Sequence, residues 1–261
     1  MDNNMILKTA LRQSAYDCCC APEDFVAAHN STHVSAPSDR ARRYLELPHI
    51  CNLVSYGTNV VVTGQKELLP EIERFLESMP AVEHCFETPG LYPLNRILEK
   101  AGARICFMAD YFLPDIDAVF GYDQRCAYEL KVMEAPEFAQ LYLPEWKNAL
   151  CADRKHLDRL AVGAFYRGEL IGLAGCSADC DTMWQIGVDV LPAYRKQGIA
   201  SALTNRLARE TFERGLVPFY CAAWSNVKSV KNAIRSGFRP GWVEATAKRD
   251  DYIEKMLKKD V

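Results

Sequence analysis

Arg195, Lys196 and Gly198 lie in the short segment RKQGIA, residues 195–200, which separates a β-like run from an amphipathic run. At the start of a helix several backbone N–H groups have no acceptor within the helix, and the helix dipole adds partial positive charge there. A phosphate group satisfies both features. The two basic residues add side-chain charge, and glycine lets a ligand approach the main chain because it has no Cβ atom. Taken alone, the segment is more typical of a solvated connection whose basic residues face water, because short glycine motifs often match by chance.

The runs on either side predict a strand before this loop and a helix after it. Ile186, Val188 and Val190 alternate as on one face of a strand, and Pro192 ends the strand because proline donates no hydrogen bond to a ladder. After Gly198 the apolar residues recur at helical spacing. Those residues are Ile199, Leu203 and Leu207.

The neighbouring segments extend this pattern. Upstream, residues 160–192 predict three antiparallel strands with turns at 167–168 and 178–181. Downstream, residues 218–224 predict a buried strand, and Ser225 or Asn226 suits the N-cap of a further helix. The predicted order is therefore three antiparallel strands, the basic loop, a crossover helix, a parallel strand and a second helix.

From about Cys126 to Lys248 the chain resembles the GNAT superfamily of acyl-CoA-dependent N-acyltransferases. The family signature is a Q/R-x-x-G-x-G/A turn that follows a strand ending in V-x-P, with a later helix carrying N-x-x-S/A and closing in G-F. The matching residues are Arg195, Gly198 and Ala200 for the turn, Val190 and Pro192 for the strand end, and Asn226, Ser229, Gly237 and Phe238 for the last helix. The resemblance implies an α/β (α+β) fold with a mixed, mostly antiparallel sheet and flanking helices.

The resemblance also implies acetyl-CoA as the acyl donor and a site that holds it. The pyrophosphate would bind the amides of residues 195–201, with the Ser201 hydroxyl as a further donor. The pantetheine arm would pair with residues 188–190 as an added strand, and Asn226 would hydrogen-bond the same arm. The expected binding residues are Val188, Asp189, Val190, Arg195, Lys196, Gln197, Gly198, Ile199, Ala200, Ser201, Asn226 and Ser229.

The sequence departs from the family at the places where proton transfer is expected. Members that use a side-chain base often carry Glu or His where this chain has Trp184 or Ile186, and neither of these accepts a proton. Many members carry a tyrosine where this chain has Ala233. Other candidates for proton transfer remain open, and no catalytic side chain is assigned. Those candidates are Glu134, Asp189, Tyr220 and Cys221.

Composition limits the partners and the location. The chain has 261 residues and a formal net charge of −3, which gives no electrostatic footprint for nucleic acid. No apolar run is long enough to span a membrane, and residues 1–13 lack the apolar core of a signal peptide, so we expect a cytoplasmic protein without membrane contact. The eleven cysteines are then expected to be reduced. No metal site is expected, because the consecutive Cys18–Cys20 lack paired C-x-x-C spacing and adjacent histidines.

The first half of the chain carries none of these motifs. Residues 52–64 predict a strand, 65–79 a helix with a possible kink at Pro70, 90–102 a helix and 103–115 a strand. We therefore expect an accessory α/β domain, or a degenerate copy of the acyltransferase fold, at 1–122 and the acyltransferase-like domain at 123–261, with a boundary in residues 113–124. A substrate lid or a homodimer surface are the alternative roles of the first half.

A run of arginines, Arg40, Arg42 and Arg43 beside Tyr44, stands out in this half. The run could clasp an acidic group or a partner, but a solvated helix face is the favoured interpretation, because short charge runs are usually solvated.

Two functions compete. The first is transfer of an acetyl group from acetyl-CoA to a primary amine on a small molecule. The second is non-catalytic binding of acyl-CoA for regulation, which the missing base and the missing tyrosine favour. Nucleotide binding at 195–200 is weaker, because this segment lacks the Lys-Ser/Thr pair of a P-loop and the G-x-G-x-x-G of a dinucleotide turn.

Overall fold

The computed structural model describes residues 1–123 and 126–259, so Gln124 at the end of the predicted boundary segment lies outside the described residues. The α-helices are α1 (Asn3–Cys18), α2 (Leu69–Ser78), α3 (Thr88–Leu98), α4 (Ile116–Phe120), α5 (Ile199–Glu213), α6 (Val227–Arg235) and α7 (Asp250–Lys259). The strands are β1 (Ser31–Val34), β2 (Cys51–Ser55), β3 (Val61–Gly64), β4 (Ala103–Pro114), β5 (Glu129–Glu134), β6 (Asp158–Tyr166), β7 (Glu169–Ser177), β8 (Met183–Val190), β9 (Val217–Ala223) and β10 (Phe238–Arg249). The predicted class, a mixed sheet with flanking helices, is confirmed.

The chain divides into two compact units. The first unit contains Met1–Thr9 and Tyr111–Pro240, and the second contains Ala10–Asp110 and Gly241–Val261. Neither unit is one continuous stretch of sequence, because each is built from two separate segments of the chain. The division at residue 122 or 123 that the sequence favours stays a prediction about functional domains. None of the helices in the described residues is long and apolar enough to cross a membrane.

The sheet of the first unit places β9, β8, β7, β6 and β5 side by side in that order. Strands β5 to β8 are antiparallel neighbours, whereas β8 and β9 run parallel. The β6–β7 hairpin turns at Arg167 and Gly168, whose φ angles of +51° and +85° fall in the left-handed region. Two successive left-handed residues match the right-handed twist of a hairpin, so the predicted turn at 167–168 is confirmed.

Helix α5 packs its apolar stripe on one face of this sheet. Ile199, Leu203 and Leu207 are buried with Leu160 of β6 and Ile186 of β8 in one hydrophobic cluster. The helical spacing that the sequence predicts is therefore confirmed, and this packing fixes where α5 begins relative to the end of β8.

The opposite face of the sheet is covered by an irregular segment. In the resemblance to the GNAT family, residues 127–146 would supply the family's first strand and first helix. Residues 135–150 contain only the short 3-10 turns Ala139–Leu141 and Pro144–Trp146. The prediction of a helix is wrong because Pro144 has no N–H for a continuing helix and holds Leu143 extended, with φ −114° and ψ 157°. Phe138 and Trp146 nevertheless bury their side chains against Leu173 of β7.

Among the strands of the second unit, β1 pairs with β3, β3 with β2, and β2 with β10. Residues 52–64 form the hairpin β2–β3 rather than one strand, because Gly57 with φ +102° reverses the chain. Pro70 lies in the first turn of α2 and produces no kink there, since the N–H that proline lacks is unpaired at this position.

The arginine run forms no helix, so its interpretation as a solvated helix face is wrong. Arg42 is buried, with 4% of its surface exposed, and its guanidinium donates to Asp17 at 2.5 Å and to Glu244 at 2.6 Å. Burial raises the pKa of the Asp17 carboxyl, although Arg42 opposes this. The arginine clasps two acidic groups of its own unit.

Replacing Arg42 by Met is expected to lower the free energy of unfolding by about 3–5 kcal/mol, because two buried carboxylates lose their cation while the apolar packing is kept. Urea denaturation measures the change. Arg40→Met is the matched control, since Arg40 is exposed and its loss is expected to cost less than about 0.5 kcal/mol. Equal losses in both variants would contradict the assigned role of Arg42.

Candidate functional site: an open strand edge beside a helix start

Strands β8 and β9 separate in the middle of β8. Their parallel register runs from Met183 opposite Val217 to Ile186 opposite Tyr220 and ends there. On its other side β8 stays paired with β7 as far as Val190, opposite Gly172. The last four residues of β8 therefore have a paired edge and an edge with no registered partner in the described residues.

The backbone groups of Val188 and Val190 lie on the edge that β9 leaves. The N–H of Leu191 donates to the carbonyl of Ile171 at 3.0 Å, which makes positions 191, 189 and 187 the hydrogen-bonded partners of β7. In an antiparallel pair the bonding direction alternates from residue to residue, so positions 188 and 190 point away from β7. An extended ligand could pair there as an added strand does.

The predicted basic loop follows directly. Residues Pro192–Tyr194 form one 3-10 turn, and α5 begins at Ile199 after left-handed residues at Lys196, φ +64°, and Gly198, φ +80°. A left-handed residue followed by a helical one turns successive N–H groups toward a common point, which forms an anion-binding nest.

The amides of this loop are available to a ligand. Within the described part of the chain, no protein acceptor is recorded for the backbone N–H groups of residues 196–201, whereas the N–H of Ala202 already bonds the carbonyl of Gly198 at 3.0 Å. Residues 195–198 are exposed, and the first turn of α5 contains no acidic residue. A phosphate would meet unpaired donors, the positive end of a 15-residue helix and two cationic side chains.

Three of the predicted binding residues at 195–201 have side chains that already bond other groups of the protein. The Ser201 hydroxyl, expected to face the pyrophosphate, donates instead to Asn232 Oδ1 at 3.2 Å, so only its amide is offered to a ligand. The Gln197 side chain accepts a hydrogen bond from Tyr128 at 2.5 Å, which anchors the loop. The guanidinium of Arg195 reaches back and donates from Nε to the carbonyl of Val190 at 2.9 Å. Ala200 is half-buried in the first turn of α5.

Asn226 and Ser229 lie at the start of α6. Asn226 is exposed and its Oδ1 accepts from the N–H of Ser229 at 3.2 Å, which caps the helix and leaves the side-chain amide group as a donor. The Ser229 hydroxyl shares a hydrogen bond of 2.8 Å with Tyr220. Tyr220 is the β9 residue opposite Ile186, so this hydroxyl pair belongs to the point where the two strands separate.

The Asp189 carboxylate accepts three hydrogen bonds from residues 148–149. It accepts from the N–H groups of Asn148 and Ala149 at 2.8 and 3.0 Å and from the Asn148 side chain at 2.6 Å. The same segment crosses the sheet at Gly187, where a Cβ atom would overlap the carbonyl oxygen of Asn148. The carboxylate therefore holds residues 148–149 against β8. These partners lie about 40 residues upstream, so nothing near Asp189 in the sequence indicates them.

The remaining candidates for proton transfer differ in their surroundings. Ile186 and Ala233 are buried in the core. Both side chains therefore pack in the core, as expected for residues that take no part in chemistry. Glu134 is ion-paired with Arg214 at 2.9 Å, and Cys221 is half-buried on β9. Burial raises the pKa of Tyr220, so its hydroxyl stays protonated at neutral pH.

Asn232 is a site residue that the sequence analysis missed. It accepts from Ser201 and donates to Thr204 at 3.0 Å, and so ties the first turn of α5 to α6. Its position three residues after Ser229 was a usable signal, because residues three apart share a helix face.

Replacing Asp189 by Ala is expected to lower the free energy of unfolding by about 1–3 kcal/mol, since two backbone N–H groups lose their acceptor. Asp189→Asn keeps one acceptor oxygen, so its loss is expected to be smaller. Thermal and urea unfolding give the two values. If Asp189→Ala is as stable as the parent chain, Asp189 does not hold residues 148–149.

The chain was compared with curated proteins, solved structures and protein families. No curated protein matches the chain. Among solved structures, a putative GNAT-family acetyltransferase from Novosphingobium aromaticivorans is 18% identical, with a TM-score of 0.38 over 56% of this chain and 66% of that one. A GCN5-related N-acetyltransferase from Kribbella flavida is 17% identical, with a TM-score of 0.49 over 62% and 64%. A tandem GNAT protein from the clavulanic acid biosynthesis pathway is 16% identical, with a TM-score of 0.46 over 66% and 60%.

This chain spans less than two thirds of the length of each of those three proteins. The family assignment comes instead from the family model described as acetyltransferase (GNAT) family, which matches residues 125–238. That match contains the open edge of β8, the loop before α5 and the start of α6. The resemblance predicted from the sequence motifs is confirmed for this stretch: residues 125–238 match the model of the acetyltransferase (GNAT) family.

Proposed function

We propose that the protein is an N-acyltransferase that moves the acetyl group of acetyl-CoA to an amine on a small molecule. The observation that carries the proposal is the run of unbonded amides at residues 196–201 beside the unpaired edge of β8. Coenzyme A contains a diphosphate and an extended arm that bears amide groups. The amides of residues 196–201 suit the diphosphate, and the edge of β8 suits the arm.

The diphosphate is assigned to the nest between Lys196 and Ser201. The amides there need an acceptor, and Lys196 is exposed beside them. Arg195 is also exposed and reaches the anion once it releases the carbonyl of Val190. Gly198 leaves open space where a Cβ atom would stand, so the anion can approach the main chain closely.

The pantetheine arm is assigned to the edge of Val188 and Val190. Its amide groups pair with the backbone groups that point away from β7, and Arg195 must then release the carbonyl of Val190. From the other side, the side-chain amide of Asn226 donates to the same arm. Its orientation is fixed because its oxygen already caps α6.

In the transfer step the amine nitrogen attacks the thioester carbonyl, the C–N bond forms and the C–S bond breaks. The N–H of Val188 donates to the oxyanion that develops, and such a donor accounts for about 10²–10³ in rate. The amine proton leaves to water, because the Asp189 carboxylate is fully bonded and neither Trp184 nor Ile186 accepts a proton.

The leaving thiolate takes a proton from Ser229, Tyr220 passes its own proton to Ser229, and water from solvent returns a proton to Tyr220. The two hydroxyls are 2.8 Å apart at the point where the strands separate. Burial raises the pKa of Tyr220, so its hydroxyl carries a proton before the transfer begins. This pair supplies the proton that a tyrosine at position 233 would supply in other members, since Ala233 is buried in the core here. The cytoplasmic location and a homodimer stay predictions from the sequence.

Release of free CoA thiol from acetyl-CoA in the presence of a panel of small amines tests the reaction. Turnover above hydrolysis with at least one amine supports the transferase. Tight binding of acetyl-CoA by calorimetry, with no reactive acceptor among small amines or lysine peptides, would favour the regulatory acyl-CoA-binding protein instead.

Gly198→Asp is expected to weaken CoA binding by about 100-fold or more, because a carboxylate would stand where the diphosphate approaches. Gly168→Asp is the matched control. Gly168 has a similar left-handed φ, +85° against +80°, and equally open space, but it lies in the β6–β7 turn. Calorimetry with CoA measures both variants. Unchanged affinity in a folded Gly198→Asp protein would refute the assigned site.

Tyr220→Phe is expected to lower kcat by about 10²-fold while leaving acetyl-CoA affinity unchanged, because the variant keeps the ring and loses the proton donor. Ser229→Ala is expected to have a similar effect, since it interrupts the same path. The pH profile of kcat and a thermal melt accompany each measurement. A kcat equal to that of the parent chain in both variants would show that the thiolate leaves without an acid.

A further inference from the structure

Three metal-ligating side chains of the second unit converge: Cys20, Asp24 and His33. One donor atom from each residue, a thiol sulfur, a carboxylate oxygen and an imidazole nitrogen, lies within 4.8 Å of the other two. All three side chains are partly exposed, so an ion could enter from solvent. The three residues take no part in the acyl-transfer site, which belongs to the first unit.

The cluster is held by contacts that do not involve a ligand. Cys19, with φ +57°, turns the chain after α1, and its sulfur accepts from the N–H of Ala36 at 3.3 Å, just beyond β1. The turn that carries Cys20 is thereby fixed beside the strand that carries His33. The Asp24 carboxylate accepts from the N–H of Ala21 at 2.8 Å, which orients it within the same turn.

An ordinary ion pair does not account for the arrangement. His33 Nε2 lies 3.5 Å from the Asp24 carboxylate and 3.1 Å from the Ser31 hydroxyl, which is enough for a surface ion pair. An ion pair of His33 and Asp24 does not require a thiol, yet the Cys20 sulfur lies within 4.8 Å of both partners. A thiolate, an imidazole and a carboxylate together are a donor set for a borderline-soft divalent cation and a poor one for Mg²⁺ or Ca²⁺.

We propose that Cys20, Asp24 and His33 form a binding site for a zinc-like divalent cation. Three protein ligands leave a fourth tetrahedral position for water. Binding replaces the proton of the Cys20 thiol by the metal and releases that proton to solvent, and His33 binds through Nε2 with its hydrogen on Nδ1. The bound thiolate and carboxylate together balance the charge of the ion.

The proposal departs from the expectation of no metal, which considered only residues adjacent to Cys18–Cys20 in sequence. His33 is thirteen positions beyond Cys20 and reaches it through the return of the chain into β1. Such a spacing matches none of the common zinc motifs.

Titration of the EDTA-treated protein with Zn²⁺ in competition with a chromogenic chelator tests the site. One high-affinity Zn²⁺ per chain is expected. Cys20→Ser and His33→Asn are each expected to lower the affinity by at least about 100-fold, because even partners outside the ligand shell account for about 10–100-fold. Cys19→Ser is the matched control, since it removes the neighbouring thiol while its hydroxyl keeps an acceptor for the N–H of Ala36, so the turn and the site are expected to remain.

A Co²⁺-loaded sample gives a second measurement that depends on the ligands and not on stability. A thiolate-to-cobalt charge-transfer band is expected in the parent chain and in Cys19→Ser, and it is expected to vanish in Cys20→Ser. Asp24→Asn keeps the bond from Ala21 and should still weaken binding. Absence of tight Zn²⁺ binding in the parent chain, or equal affinity in the Cys20 and Cys19 variants, would overturn the proposal whatever the result with acetyl-CoA.

Discussion

The separation of β8 from β9 is the constraint on which the site depends. A buried strand normally satisfies its backbone groups on both edges, and an unpaired N–H group has a cost unless water or a ligand bonds it. Here the parallel ladder ends at Ile186, four residues before β8 itself ends. Those residues remain extended because β7 continues to pair with them. The end of β8 is thus held in register by β7 on one edge, while the backbone groups on its other edge can bond a ligand.

Both faces of β8 are occupied so that its edge alone stays open. On one face α5 buries Leu203 and Leu207 against the sheet. This packing places the start of the helix just after the 3-10 turn and the basic loop that follow Val190. On the other face residues 148–149 lie so close to Gly187 that no larger side chain fits there, and Asp189 fastens them with three hydrogen bonds. The Asp189 carboxylate, a candidate for proton transfer in the sequence, therefore serves packing.

The order of strand, basic loop and helix was predictable because each boundary has a local cause. Pro192 ends β8, Gly198 supplies a left-handed residue, and the apolar spacing after it is helical. Contacts between distant residues were not predictable. Nothing near Asp189 in sequence indicates Asn148, nothing near Arg42 indicates Glu244, and the helix expected before Trp146 fails through Pro144. The sequence alone thus predicted the elements of the binding loop but not the partners that decide which polar side chains remain free.

The free polar groups that remain indicate how such a site would work without a side-chain base. Ser201, Thr204 and Asn232 bond one another between α5 and α6, so they hold the two helix starts in place. Apart from the side-chain amide of Asn226, the donors left over are mainly backbone amides, whose positions do not depend on pH. In the proposed reaction, rate enhancement would come from positioned N–H dipoles and from holding the thioester against the amine. Proton transfer is then a secondary task, which water and one hydroxyl pair can perform because a thiolate is already a good leaving group.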